Sequence, residues 1–452
     1  MKRLLTAELL DWKHKKKRKP LILKGARQVG KTWLLKSFGK EAFPSVHYVN
    51  FERTPALETL FREDLSPQRI LAEMSTALGT PIRAESDLLI LDEIQAAPRA
   101  LTSLKYFKED LPELALASAG SLLGVKLQEA ASFPVGSVDF LDLRPMSFQE
   151  FLLACDLEGI LSPAPPPHVQ GLLWRAFKAY LITGGLPEAV STFIGALPEV
   201  GTTRPLELNV PPTAFEAVRE VQYGLLNSYL ADMAKHSGKL NSMHLERILR
   251  SIPSQLGRDQ DAGTRKYQFK GVIPGLNKYS QFVHAIDWLE AAGLVQKIHI
   301  CHSGQLPLQA YIKESAFKLF PFDIGMLGVF AGLAPAAIWG YDFGTFKGYL
   351  AEAFVLQDLI AAGMHPLYCW QEGTAEVEFL TDQSGRVVPI EVKAGKSTRA
   401  KSLRVFREKY APQDWFLLSA LPDGGVQQAS PGQGEHHLHL AAASWIAKAL
   451  KA

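Results

Sequence analysis

Short apolar runs that end in glycine or in an acid recur through the first third of the chain. "PLILKGARQVGKTWLLKSFG" reads as a buried strand, a glycine loop and a helix. In "SDLLILDEIQ" the apolar residues Leu88 to Leu91 run directly into Asp92 and Glu93, the pattern of a buried parallel strand carrying charge at its C-terminal edge. "VHYVNFE", "LALASAGS" and "GSVDFLDL" supply three further strands. Five strands with helical patterns between them predict a doubly wound α/β sheet. Pro-rich stretches at 161–168 and 195–215 interrupt the periodicity and read as linkers. The segment between them predicts a helix ending near Gly184 and Gly185. From about 223 to 300 come three helical patterns and then the alternating "VQKIHICH", the order of a winged helix. In its third helix Phe282, Ile286 and Leu289 form the buried stripe, leaving Lys278, Gln281 and His284 elsewhere and able to face a DNA groove. Near the C-terminus "GYLAEAFVLQDLIAAG" is helical, with Ala351, Phe354, Val355 and Leu359 as its stripe. "EVEFL" and "PIEVK" alternate as paired antiparallel strands joined by "TDQSGRV". The expected domains are 1–155, 156–222, 223–304 and 305–452.

Composition narrows the class without choosing a partner. With 452 residues, 47% hydrophobic and 21% charged, the chain suits several globular domains, not a disordered or fibrous one. A net charge of +3 gives no global attraction for nucleic acid, so such binding must come from local patches. The basic run "KHKKKR", from Lys13 to Arg18, reads as a solvated helix end, with a phosphate-backbone patch as its functional reading. Cys155, Cys301 and Cys369 lack paired spacing, and no apolar run reaches membrane-spanning length. A reducing, cytoplasmic location without membrane partners is the expectation.

Candidate chemistry starts at Gly25-Ala26-Arg27-Gln28-Val29-Gly30-Lys31-Thr32, which satisfies GxxxxGK[ST] between a strand and a helix. Successive N–H groups in such a loop surround the phosphates of ATP. Lys31 reaches the terminal phosphates, and Thr32 with Asp92 holds Mg²⁺. Glu93 is placed to orient or deprotonate the attacking water. Either Ser118 or Ser121 would sense the γ-phosphate. The acid pair and an intervening strand assign the sheet to the additional-strand branch of P-loop ATPases. If several copies assemble, an arginine finger is expected, with Arg53, Arg99 and Arg144 as candidates by location.

The hairpin near the C-terminus carries a second set. Alternation puts Glu376 and Glu378 on one face, and likewise Glu391 and Lys393, so Glu378, Glu391 and Lys393 share a face when the strands pair. Spacing alone describes a solvated hairpin. Glu352, however, falls beside the apolar stripe of its helix, where a carboxylate needs a partner or a cation.

The ordered set "LILKGARQVGKT", "LLILDEIQ", "ASAGSLLGV", "LRPMSFQEFL", "GGLPEAV", "FKLFPFDIGML" and "AEVEF…VPIEVKAG" resembles the prokaryotic AAA-type ATPases joined to domain of unknown function 4143. The resemblance implies an ATPase core, a helical lid, a winged helix and a C-terminal domain similar to the PD-(D/E)XK nucleases. On that likeness Glu352, Glu378 and Glu391 would bind Mg²⁺ or Mn²⁺, while Glu391 and Lys393 would be catalytic in cutting DNA or RNA. The family pattern has Asp at the position of Glu378, a departure that changes the ligand's reach. Three functions follow: an ATP-gated nuclease, a nucleotide-driven switch whose C-terminal domain only binds nucleic acid or a protein, or an ATPase for protein remodelling, which would form a ring with a central pore.

Overall fold

A computed structural model describes all residues except 122, 126–135, 163–164, 199–207, 209, 258–265, 396–399, 421–433 and 451–452. The chain divides into two compact units, residues 2–144 with 291–294, and residues 145–290 with 295–452.

In the first unit the order is α1 (Thr6–His14), β1 (Leu21–Lys24), α2 (Lys31–Ala42), β2 (Val46–Asn50), α3 (Pro67–Leu78), β3 (Leu88–Asp92), α4 (Pro98–Asp110), β4 (Ala115–Ala119) and β5 (Asp139–Asp142). These strands form one five-stranded parallel sheet in the order β2-β3-β4-β1-β5. Every residue of β3 and β4 is buried, which explains why both read as unbroken apolar runs and not as alternating ones. β4 lies between β1 and β3, with Ser118 opposite both Ile22 and Leu91. The strand ends that carry the glycine loop and the acid pair are thereby held one strand apart. Leu89, Leu91, Leu116, Ile70, Met74, Leu104 and Phe107 pack in the core of this unit. The basic run is partly knitted into it: Lys15 pairs with Asp139 at 3.1 Å, and Arg18 donates to the carbonyls of Lys13 and Glu113.

The second unit opens with α5 (Phe148–Ala154), α6 (Pro167–Thr183), α7 (Pro187–Gly195), α8 (Pro212–Ser237), α9 (Lys239–Leu256) and α10 (Tyr279–Ala291). It continues with β6 (Val295–Cys301), β7 (Ile312–Pro321), α11 (Ile324–Phe330), α12 (Pro335–Gly340), α13 (Phe346–Ala361), β8 (Leu367–Glu372), β9 (Ala375–Gln383) and β10 (Arg386–Lys393). Last come α14 (Lys401–Tyr410), β11 (Trp415–Ser419), β12 (Glu435–His439) and α15 (Trp445–Ala449). Its strands form one mixed seven-stranded sheet, β12-β11-β10-β9-β8-β6-β7.

Three features of this unit depart from the pattern-based reading. The strand expected to be a separate wing, β6, is hydrogen-bonded into the C-terminal sheet, with Ile300 opposite Cys369 and Cys301 opposite Trp370. A boundary at 304 would therefore cut through a sheet. The helix expected in the lid, α6, does end at Thr183 with Gly184 as its cap. Its rings nevertheless pack on the C-terminal helix: Phe177 lies 4.8 Å and Tyr180 5.9 Å from Phe354, centroid to centroid. Finally, α13 is not one-sided, since every residue from Tyr349 to Ile360 is buried, Glu352, Gln357 and Asp358 included. Apolar partners on several elements enclose it, a circumstance that local periodicity does not record.

Candidate functional site

Within the first unit, the glycine loop enters α2 through Gly30 in the left-handed region, φ 95°. Lys31 follows at the first helical position, and its Nζ donates to the carbonyls of Gly25 at 2.9 Å and Ala26 at 2.8 Å. The side chain thus folds across its own loop. Burial lowers the Lys31 pKa to about 8, against the raising effect of the Glu93 and Asp92 charges. A phosphate chain would supply the counter-charge this lysine is short of. In the loop, Ala26 and Val29 are buried, whereas Arg27 and Gln28 are exposed. Arg3 braces the loop from outside, donating to the Val29 carbonyl at 2.9 Å and to the Arg144 carbonyl at 2.6 Å.

Asp92 ends β3 almost fully buried and gathers three donors on Oδ2: Thr32 Oγ1 at 2.7 Å, Tyr48 Oη at 2.8 Å and Asn50 Nδ2 at 3.5 Å. The Thr32 hydroxyl and the Asp92 carboxylate are hard oxygen ligands already in contact, so this pair fits Mg²⁺. Glu93 turns out of the strand with φ 51°, and its Oε2 accepts from Ser121 N and Ser121 Oγ, both at 3.0 Å, and from Gln95 Nε2 at 2.5 Å. Burial alone would raise the Glu93 pKa, but these donors and the Lys31 charge outweigh it and hold the carboxyl below its ordinary value. Glu93 is therefore ionised at neutral pH. Gly120 makes room for Gln95, because a Cβ there would lie 1.9 Å from Gln95 Oε1.

The two serines separate clearly. Ser118 is fully buried and donates to the Leu21 carbonyl at 3.0 Å, holding two strands together. Ser121 alone reaches Glu93. Sequence reasoning missed Tyr48, Asn50 and Gln95. The signal was in "VHYVN", whose two-residue period puts Tyr48 and Asn50 on one face, with Asn50 opposite Asp92 in register. Of the three arginines, Arg99 is occupied by the carbonyls of Phe61 and Glu63, while Arg53 is exposed.

In the second unit the hairpin is far from solvated: Glu378 is 6%, Glu391 1% and Glu352 3% exposed. The turn is tighter than "TDQSGRV" suggested, because the strands run to Gln383 and from Arg386, leaving Ser384 and Gly385 at φ 53° and 80°. Ile390 pairs with Phe379, which brings Glu391 beside Glu378. Glu378 Oε2 accepts from Val392 N at 3.0 Å, and Lys393 Nζ contacts Glu391 Oε1 at 2.5 Å. Burial, followed by the Glu391 charge, raises the Glu378 pKa well above the carboxylate range. Burial likewise raises that of Glu391, despite Lys393.

Sequence reasoning also missed Lys318, which pairs with Glu352 Oε2 at 3.1 Å and Glu376 Oε1 at 2.5 Å. Its position in "FKLFPF" gave no hint, since a strand lysine is ordinarily solvated. Among the described residues no group of three or more His, Cys, Asp or Glu is disposed to hold a metal ion. Of the set expected for Mg²⁺ or Mn²⁺, Glu352 meets Lys318, Glu391 meets Lys393, and Glu378 accepts from the Val392 N–H. Lys278, just before α10, and Gln281 and His284 on it are exposed as expected, but Gln281 Oε1 accepts from Asn277 N and Lys278 N and so fastens the helix start.

Comparison with known proteins agrees with the first unit's geometry. Residues 17–152 match the family model described as AAA domain. Residues 204–337 and 347–420 match two domains of unknown function, DUF8612 and DUF4143. No curated protein matches the chain. Among solved structures, a Walker-type ATPase of Pyrococcus abyssi is 16% identical, with 73% of this chain and 95% of that chain covered at a TM-score of 0.45. The ORC1 protein of Aeropyrum pernix in complex with DNA is 17% identical over 75% and 90% of the two chains, at 0.31. The RuvB Holliday junction branch migration motor of Thermotoga maritima is 14% identical over 68% and 91%, also at 0.31. Among the described residues no helix is long and apolar enough to cross a membrane.

Proposed function

We propose that this chain binds and hydrolyses ATP and that its nucleotide state governs a C-terminal, nuclease-like domain that engages nucleic acid or a protein partner without cutting it. The observation that carries the reading is the neighbourhood of Lys31, Thr32, Asp92, Glu93 and Ser121 at the C-terminal edge of one parallel sheet. Loop N–H groups and Lys31 would bind the phosphates. Thr32 and Asp92 would hold Mg²⁺, which neutralises phosphate charge when bound. Glu93, ionised and clamped by Ser121 and Gln95, is suited to take a proton from water. Because the same Ser121 hydroxyl that would meet a γ-phosphate also holds Glu93, release of one contact can free the other, a direct link between nucleotide state and the base.

A metal-dependent nuclease is the second reading. It is favoured by Glu391 Oε2, which is buried with no hydrogen-bond partner among the described residues and would welcome a cation. ATP turnover, and cleavage of single-stranded and duplex DNA and RNA with Mn²⁺, compared across wild type, Lys31→Ala and Lys393→Ala, separates the two. Lys31-dependent ATP hydrolysis without cleavage supports the switch, and cleavage lost in Lys393→Ala overturns it.

A further inference from the structure

Lys318 on β7 is only 3% exposed, and its ammonium stands between Glu352 on α13 and Glu376 at the start of β9. Burying an ammonium is costly unless opposite charges compensate it, and burying carboxylates is costly in the same way. Four acids share this interior: Glu352, Glu376, Glu378 and Glu391. Lys318 answers the first two, the Val392 N–H answers Glu378, and Lys393 answers Glu391.

A divalent cation would need several of these oxygens at once, at about 2.0–2.6 Å. An ammonium uses the same lone pairs for its three N–H donors. The two occupants therefore compete at Glu352, the carboxylate of the metal set that Lys318 contacts, and Lys318, covalently part of β7, cannot be washed out.

We propose that Lys318 is a resident cation standing where a nuclease would keep its metal, so that the native carboxylate set takes up neither Mg²⁺ nor Mn²⁺. The inference deepens the function proposed above and rests on its nuclease-like reading of the second unit. It also makes Lys318 the residue that closes the site.

The test is Mn²⁺ uptake by the full chain, read by electron paramagnetic resonance, in an Asp92→Asn background that silences the nucleotide site. The expected result is no carboxylate-dependent uptake by the Lys318 protein, and a gain of at least tenfold in Mn²⁺ affinity in Lys318→Met that disappears when Glu352→Gln is added. If Lys318→Met does not fold, Lys318→Met with Glu376→Gln removes cation and charge together and is expected to show the same gain. Uptake by the Lys318 protein that is lost in Glu352→Gln overturns the proposal, as does failure of both foldable Lys318 variants to gain a site. Uptake without cleavage of DNA or RNA defeats this inference alone. Uptake accompanied by Lys393-dependent cleavage defeats the non-cutting reading as well.

Discussion

Replacing Glu93 by glutamine keeps an acceptor for Ser121 but removes the charge that would draw a proton from water. ATP hydrolysis should fall by about 10² to 10⁴, the usual worth of a general base, while binding of a fluorescent ATP analogue persists. Lys31→Ala should lose both, and retained binding there would contradict the role given to Lys31. A second residue-scale prediction concerns pH. Asp323 accepts from Gly185 N at 2.7 Å and Met326 N at 3.1 Å, yet burial raises its pKa to about 6 against those donors. Asp358, bound by Phe148 N and Ser444 N, is raised to about 6 for the same reason. An aspartate in the unfolded chain titrates near 3.9, so between about pH 4 and 6 the folded state holds the extra proton. The stabilising contribution of these groups is full below that window and is lost as pH rises through about 6. Urea unfolding of the full chain at intervals across that window should show Asp323→Asn with a slope more favourable to high pH, by up to about 1.4 kcal/mol per pH unit. An unchanged slope would mean that Asp323 titrates normally.

At the scale of elements, the β9–β10 hairpin depends on a two-residue turn with both residues at positive φ. Gly385 at φ 80° accepts this without a Cβ penalty, and its N–H donates to Asp382 Oδ1 at 2.9 Å. Gly385→Ala should cost about 1–2 kcal/mol of stability in the second unit, measured by denaturant unfolding. The strands themselves were legible, because alternation with period two in "EVEFL" and "PIEVK" is a local signal. What alternation could not say is which neighbours cover each face. It described the carboxylates as solvated, whereas α13 and β7 enclose them and supply Glu352 and Lys318. The parallel strands β3 and β4 were legible for the opposite reason, since burial on both faces makes their apolar runs continuous.

For the whole molecule, the pairing of β6 with β8 sets what can fold alone. A fragment of residues 305–452 lacks β6 and leaves an edge of β8 unpaired, so it should aggregate or show little cooperative unfolding by circular dichroism. A fragment of residues 145–452 keeps the sheet and the rings that α6 packs on Phe354, and it should unfold cooperatively. Equal behaviour of the two fragments would argue against a shared core. By itself the sequence determined the phosphate loop, the acid pair after Leu91, the five-strand α/β pattern and the strands of the C-terminal hairpin. Each of these is written in contiguous residues, where backbone N–H groups, strand period and turn chemistry act within a few positions. Only the tertiary structure decided that Ser121 rather than Ser118 meets Glu93, that Tyr48 and Asn50 share Asp92, that the helices after residue 145 belong with the C-terminal sheet, and that Lys318 neutralises Glu352 and Glu376. Those outcomes depend on strand order and on which charge is buried beside which, and electrostatic compensation in a low-dielectric interior is a property of neighbours in space, not of neighbours in the chain.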